Sequence, residues 1–204
     1  VGNIGIIRNS PDGIFLSECD DALIEDVNLS GSRGDIGLYN SKNVTLYRNK
    51  IGRDGLELEG SIADIQTLEI PVNNTIDGYP ILLTMNNNIS NINEYPVFGQ
   101  LIMMNMSSLK ISGVDHQFLR GAISLFQSRH ISFENMTLNG RSAGFNINDC
   151  SEIHFENLSI EEFKKDFLNV RDSEGIYLTK CNFSDCFGNY FRFEDSQDIH
   201  ISSL

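Results

Sequence analysis

The sequence has little positive charge and no long apolar run. It carries 15 Lys and Arg residues against 28 Asp and Glu, for a formal net charge of −13 at pH 7. An acidic surface repels phosphate backbones, so nucleic acid is not an expected partner. No stretch of 18 apolar residues occurs, so no membrane span is expected. The chain starts at Val1 inside a repeat, and we expect other domains of a longer chain to flank it.

What the sequence does have is a repeat. Taking the first inward apolar residue of the second strand as an anchor, the copies fall at Ile131, Ile153, Ile176 and Ile199, at spacings of 22, 23 and 23 residues. A period near 22 is typical of stacked architectures. Each copy has two short alternating strands separated by a polar bend, and the copies are ISLFQSRHISFENMTL, FNINDCSEIHFENLSI, FLNVRDSEGIYLTKCNF and YFRFEDSQDIHISSL.

The repeat predicts an all-β fold. Alternation with period two indicates strands with one buried face, and strands that stack on the next copy about 4.8 Å away form a single-stranded parallel β-helix, or solenoid. Further anchors at Ile4, Ala22, Val44, Ile65 and Leu109, with one hidden coil, bring the total to about ten coils in a single domain spanning 1–204.

Residues 66–108 are predicted to be the least regular part of the solenoid. They contain Pro71, Pro80 and Pro96, three of the four prolines in the chain. Proline removes a donor from a strand ladder, so the longest loops are expected here.

Residues 73–114 contain a recognisable pattern of Asn, Gly, Pro and Ser around apolar strand residues. Its members are Asn74, Gly78, Pro80, Ile81, Gly99, Gln100, Leu101, Ser107, Ser108 and Ile111. This pattern resembles a segment of NosD-like proteins and related archaeal cell-surface β-helix proteins. The resemblance implies a right-handed β-helix in an extracellular, cell-surface or periplasmic protein, with carbohydrate as the commonest ligand class. It also implies, as an alternative, an accessory role in copper-centre assembly, and it carries over no catalytic residue.

Stacking turns each column of the repeat into a ladder of side chains. Asp149, Asp172 and Asp195 stand four residues before their anchors, at intervals of about 4.8 Å. Carboxylates so spaced share a proton or bind a cation such as Ca²⁺. The alternative is structural, because Asp and Asn at bends bond the backbone N–H groups of turns. Apart from Ca²⁺, no cofactor is expected.

Outward positions of the first strand form the preferred binding surface. Amide, guanidinium and carboxylate groups beside an aromatic ring suit a flat sugar-binding face, since hydroxyl groups need planar hydrogen-bonding partners. The alternative is an ordinary solvated face. The predicted ligand-binding residues are Phe126, Asn146, Asn148, Asn169, Arg171, Arg192 and Glu194.

Catalytic signatures are scarce. A polygalacturonase-type enzyme would show Gly-His-Gly, which is absent, and no phosphate loop or paired zinc ligands occur. His154 and His200 lie two coils apart, too far to share a metal. We therefore expect a non-catalytic domain that binds a polysaccharide or glycan or acts as a structural rod. The enzymatic alternative is a polysaccharide lyase, glycoside hydrolase or epimerase, with its acid and base among Asp149, Asp172, Asp195 and Glu194.

Overall fold

The computed structural model describes eleven segments of the chain, which are residues 3–4, 13–30, 35–52, 54–89, 92, 97–113, 115–119, 123–140, 144–162, 167–185 and 190–203. The chain forms two compact units. Unit 1 comprises Val1–Leu83 and Val97–Leu101, and unit 2 comprises Thr84–Pro96 and Ile102–Leu204. Whether the chain folds as one domain stays a prediction. Within the described segments, no helix has the length and apolar character needed to cross a bilayer.

Unit 1 is built from short strands that pair in parallel. Strands β1, β3 and β5 form one three-stranded sheet, β2, β4 and β7 form another, and β6 pairs with β8. The elements are β1 Asn3–Ile4, β2 Ile14–Ser17, β3 Leu23–Glu25, β4 Ile36–Tyr39, β5 Thr45–Tyr47, β6 Lys50–Ile51, β7 Leu56–Glu59, α1 Ile62–Ile65, β8 Thr75–Ile76 and β9 Tyr79–Met85, whose last residues belong to unit 2.

Unit 2 contains two longer parallel ladders. One runs β13-β15-β17-β20 and the other β11-β14-β16-β18-β21. The strands are β10 Gln100–Met104, whose first residues belong to unit 1, β11 Ser107–Ser112, β12 Asp115–Leu119, β13 Ile123–Phe126, β14 Arg129–Gly140, β15 Phe145–Asn148, β16 Ser151–Glu161, β17 Leu168–Arg171, β18 Glu174–Thr179, β19 Asn182–Ser184, β20 Phe191–Glu194 and β21 Gln197–Ser202.

The register of unit 2 confirms the predicted repeat. Leu109 pairs with Ile131, which pairs with Ile153, and the same column continues through Ile176 to Ile199. Every one of these pairings is parallel, so each coil lies on the next in the same direction. The parallel β-helix predicted from the alternation is therefore the observed fold.

Stacked aromatic rings fill the core of unit 2. Phe133 and Phe155, one coil apart, stack with ring centroids 5.4 Å apart and planes within 8°. Phe145 meets both rings edge-on, at 4.9 and 4.8 Å, and Phe167 meets Phe145 at 5.5 Å. All four side chains are fully buried, and each such ring contributes about 1.5–3 kcal/mol by burial alone.

The predicted strand at Ile65 is wrong. Residues 62–65 form the short helix α1, because the Ser61 hydroxyl accepts a hydrogen bond from the Asp64 backbone N–H and donates one to its carboxylate. The strand partner of this coil lies later, where Glu69 bridges to Thr45. The coil therefore has 24 residues from Thr45 to Glu69 rather than the expected 21.

The coil count is also lower than predicted. Over the described segments the chain makes about seven turns with a period of about 22 residues, against the ten expected. Helix α1 and an antiparallel pairing of β8 with β9 take up residues that the repeat had assigned to coils.

Each coil of unit 2 bends where the backbone adopts a left-handed conformation, with φ between 44° and 69°. Most of these residues recur in three columns, and none of them is β-branched, because a branched side chain clashes with the backbone there. The first column is Asn105, Gln127, Asp149, Asp172 and Asp195, the second is Ser108, His130, Glu152, Gly175 and Asp198, and the third is Gly113, Asn135, Asn157, Lys180 and Ser203.

The bend conformation predicts a specific pair of outcomes at Asp172. Asp172→Gly should leave the free energy of unfolding nearly unchanged, because glycine adopts φ 49° without steric cost. Asp172→Val should lower it by about 1–2 kcal/mol. Both changes remove the same charge, so the difference measured by urea unfolding reports the backbone alone. Glu156→Val, on strand β16, is the control and should cost little. Equal stability of the two Asp172 variants would contradict this reading.

Candidate functional site

A groove of about 650 Å³ runs along the first bend of unit 2. Three successive coils each contribute three consecutive residues, so the groove is a direct product of the repeat. We call it the bend groove, and its lining is Asp149, Cys150, Ser151, Asp172, Ser173, Glu174, Asp195, Ser196 and Gln197.

A ladder of small side chains forms the floor of the bend groove. The Cys150 backbone N–H donates to Ser173 Oγ at 3.0 Å, and the Ser173 N–H donates to Ser196 Oγ at 3.2 Å. Ser173 Oγ in turn donates to the Arg171 carbonyl at 2.7 Å. Burial raises the pKa of the Cys150 thiol to about 12. The floor therefore holds the coils together and offers no activated nucleophile.

The predicted carboxylate column lies on the rim of this groove. Asp149, Asp172 and Asp195 are exposed, and Gln127 Nε2 donates to Asp149 Oδ2 at 3.1 Å. The structural alternative expected these carboxylates to accept hydrogen bonds from the backbone N–H groups of the turn. Among the described residues they do not, because the N–H that follows each bend residue donates to the ladder of small side chains instead. Their role in the fold is the left-handed backbone.

The described segments contain no group of three or more His, Cys, Asp or Glu side chains placed to hold a metal ion. The Ca²⁺ expectation for Asp149, Asp172 and Asp195 thus stays a prediction without geometric support.

Six of the seven predicted ligand-binding residues share one surface. Strands β15, β17 and β20 align Asn146 with Asn169 and Arg192, and Asn148 with Arg171 and Glu194. All six are at least partly exposed. We call this surface the amide face, and its residues are Asn146, Asn148, Asn169, Arg171, Arg192 and Glu194.

The expectation that Phe126 is an exposed platform on this face is wrong. Its side chain is only 4% exposed, and every residue of β13 is buried. The neighbouring Ser124 is buried too. A strand covered on both faces cannot stack a ligand, so the accessible part of the surface begins at β15.

Two arginines hold the carboxylate of Glu194. Arg171 Nη2 lies 3.0 Å from Glu194 Oε2, and Arg192 Nε donates to Glu194 Oε1 at 2.9 Å. Hydrogen bonds from Arg192 and then Arg171 hold the pKa of Glu194 below its ordinary value. A group kept ionised in this way is poorly suited to be the general acid of an enzyme.

The three amides of the face differ from other asparagines of the solenoid. Asn157 Nδ2 donates to Asn135 Oδ1 at 2.7 Å, so those two amides satisfy each other. The side chains of Asn146, Asn148 and Asn169 make no such bond with any other described residue. The Oδ1 atom of Asn169 is even shielded from solvent without a partner. The amide face therefore carries unused donors and acceptors.

A stacked aromatic column lies on the other ladder of unit 2. The Tyr177 ring sits between His154 and His200, at centroid distances of 4.5 and 5.0 Å with nearly parallel planes. Tyr177 thus lies between the two histidines, which are two coils apart as their spacing predicted.

One aromatic pair on the surface of unit 1, the exposed Phe15 and the partly exposed Tyr39, is not predicted from the sequence above. The repeat contains a signal for it, since Phe15 aligns with Gly37 and Ser17 with Tyr39 at a spacing of 22 residues.

Comparison with known proteins places the chain in a family. Residues 100–203 match the family model described as the right-handed beta helix region, which is half of the chain. The chain belongs to this family of right-handed β-helices, and the handedness implied by the resemblance is confirmed. The match does not single out NosD-like or archaeal surface proteins. Neither the curated proteins nor the solved structures contain a significant match to the chain.

The charge cluster predicts how Glu194 titrates. An NMR titration of its carboxyl group should give a pKa below the ordinary 4.5, and Arg192→Met should raise it more than Arg171→Met does. Because the folded-state pKa is depressed, the ion pairs stabilise the fold above the unfolded pKa and are lost as the pH falls through the folded value. Lys180→Met, which removes the ion pair to Glu156, should leave Glu194 unaffected. An ordinary pKa of Glu194 in the wild type would contradict its stabilisation by Arg171 and Arg192.

Proposed function

We propose that this chain is a non-catalytic β-helix domain of an exported or cell-surface protein and that it binds a polysaccharide or glycan through the amide face. The observation that carries the proposal is the set of unused amides, Asn146, Asn148 and Asn169, on an accessible surface. Partly exposed amides that have no partner among the described residues keep their donors and acceptors open to a polar ligand, which would supply the missing hydrogen bonds.

A sugar suits these groups because each amide offers both a donor and an acceptor, and each hydroxyl group takes both. Neighbouring coils repeat the same amide at about 4.8 Å, as Asn146 and Asn169 do. A surface that repeats along the solenoid fits a ligand that is itself a polymer. The arginines beside the amides are partly neutralised by Glu194, so the face suits a neutral or weakly acidic chain.

One observation favours an enzymatic alternative. Asp149, Asp172 and Asp195 line the bend groove on successive coils, and a spacing of about 4.8 Å resembles the roughly 5–5.5 Å between the carboxyl groups of retaining glycosidases. A polysaccharide lyase, glycoside hydrolase or epimerase would place its acid and base here. The accessory role in copper-centre assembly gains no comparable support from the described residues.

Alanine substitutions on the amide face test the proposal. A polysaccharide panel should first identify a ligand by isothermal titration calorimetry. Asn148→Ala and Asn169→Ala should then each weaken its binding by about tenfold, the equivalent of a hydrogen bond of roughly 1–1.5 kcal/mol. The melting temperature should stay the same for Asn148→Ala. It should stay or rise for Asn169→Ala, because that change removes a shielded atom without a partner.

Asn182→Ala is the matched control, since Asn182 is exposed on strand β19, away from the face. It should bind as the wild type does. Equal losses in all three variants, or no loss in any, would contradict the amide face. Release of reducing ends or unsaturated products, abolished by Asp172→Asn, would instead establish the enzymatic alternative.

A further inference from the structure

An outward face of unit 1 combines one exposed and one partly exposed aromatic ring with carboxylates. Strands β2, β4 and β7 align Phe15 with Gly37 and Glu57 in one row, and Ser17 with Tyr39 and Glu59 in the next. The alternate residues of these strands point inward. We call the outward surface the aromatic platform, and its residues are Phe15, Ser17, Gly37, Tyr39, Glu57 and Glu59.

The two rings of the platform converge on a glycine. A Cβ atom at Gly37 would lie 2.6 Å from both Phe15 Cδ1 and Tyr39 Cε2, so only glycine leaves room for both rings. Their centroids are 6.2 Å apart and their planes differ by 30°. Phe15 is nevertheless 55% exposed. The Phe15 ring therefore presents an apolar surface to solvent, and the Tyr39 ring beside it is partly exposed.

Carboxylates border the rings. The Tyr39 hydroxyl donates to Glu57 Oε2 at 3.0 Å. Burial, together with Glu57, raises the pKa of Tyr39 to about 12, so this hydroxyl stays protonated at neutral pH. Glu59 follows in the next row, and both glutamates are exposed. None of the six platform residues is Lys or Arg, so the platform carries only negative charge.

We propose that the aromatic platform binds an amino sugar of a glycan, with the sugar ring on Phe15 and Tyr39 and its ammonium group against Glu57 and Glu59. Aromatic faces attract cations and pack against apolar C–H surface, and carboxylates form the stronger, charge-assisted hydrogen bonds with ammonium groups. Uronic acids and sulfated sugars are repelled by the same carboxylates. The proposal rests on the proposed function only for the ligand class, since it uses none of the amide-face residues.

Binding of three matched hexasaccharides tests this site. The probes are the fully deacetylated glucosamine hexamer, its N-acetylated form and the β-1,4-linked glucose hexamer, each titrated calorimetrically at pH 6. The deacetylated hexamer should bind at least tenfold more tightly than the other two, because only it carries ammonium groups. This preference should shrink at high salt, as expected for exposed charges.

Variants locate the binding on the platform. Glu57→Gln, which keeps the side-chain shape, should weaken binding of the deacetylated hexamer by about tenfold. Phe15→Leu should weaken it by about threefold or more, the loss expected for a cation–π contact. Glu69→Gln removes an exposed carboxylate elsewhere in unit 1 and should have no effect. Asn148→Ala should also leave this binding unchanged, which separates the platform from the amide face.

Three outcomes would overturn the proposal. Equal binding of the deacetylated and acetylated hexamers would show that charge is not recognised. Undiminished binding by both Glu57→Gln and Phe15→Leu, at wild-type melting temperatures, would place the ligand elsewhere. Tighter binding of hexalysine than of the deacetylated hexamer, lost in the same variants, would identify a site for basic peptides rather than glycans.

Discussion

The left-handed bends are the constraint on which the rest of unit 2 depends. Because they recur in register, the N–H groups of the first bend column donate to carbonyls of the next coil, as Asp149 donates to Arg171 and Asp172 to Glu194, both at 3.2 Å. The backbone N–H of the following residue donates to the hydroxyl or thiol of the equivalent residue in the next coil, as Cys150 donates to Ser173. A left-handed conformation costs an ordinary residue about 1–2 kcal/mol, whereas Gly, and to a lesser degree Asn and Asp, adopt it more easily; the hydrogen bonds offset the cost that remains. Asp, Asn and Gly recur at bends for this reason, before any question of function arises.

The columns of the solenoid differ in how far the fold constrains them. Inward columns are fixed by packing and bend columns by backbone geometry, so only the outward strand positions are free to specialise. Asparagine shows the contrast within one chain. Asn49 is buried and bonds both the Ile24 carbonyl and Asn74, which gives it a structural role. Asn148 and Asn169 have no comparable partners among the described residues.

The sequence predicted what depends on periodicity and missed what depends on local geometry. The column from Ile131 to Ile199 was predictable because alternation and spacing are one-dimensional properties of the chain. Helix α1 was not predictable in this way, because its segment alternates like a strand and the N-cap at Ser61 makes it a helix instead. The burial of Phe126 depends on the residues that cover the outer face of β13, and the alternation of a strand does not predict those residues. The alignment of the six residues of the amide face follows from the register alone, whereas their role in binding stays a prediction.

Carboxylates occur in three settings, and the setting decides what each can do. Asp172 serves a left-handed bend, whereas Glu194 is neutralised between two arginines. Glu57 borders exposed rings and has only a neutral hydroxyl as its side-chain partner among the described residues. An uncompensated carboxylate beside an aromatic ring attracts cations, whereas a clamped one mainly orients its arginines. The two proposed sites are therefore expected to select different sugars, the amide face by hydroxyl groups and the aromatic platform by positive charge.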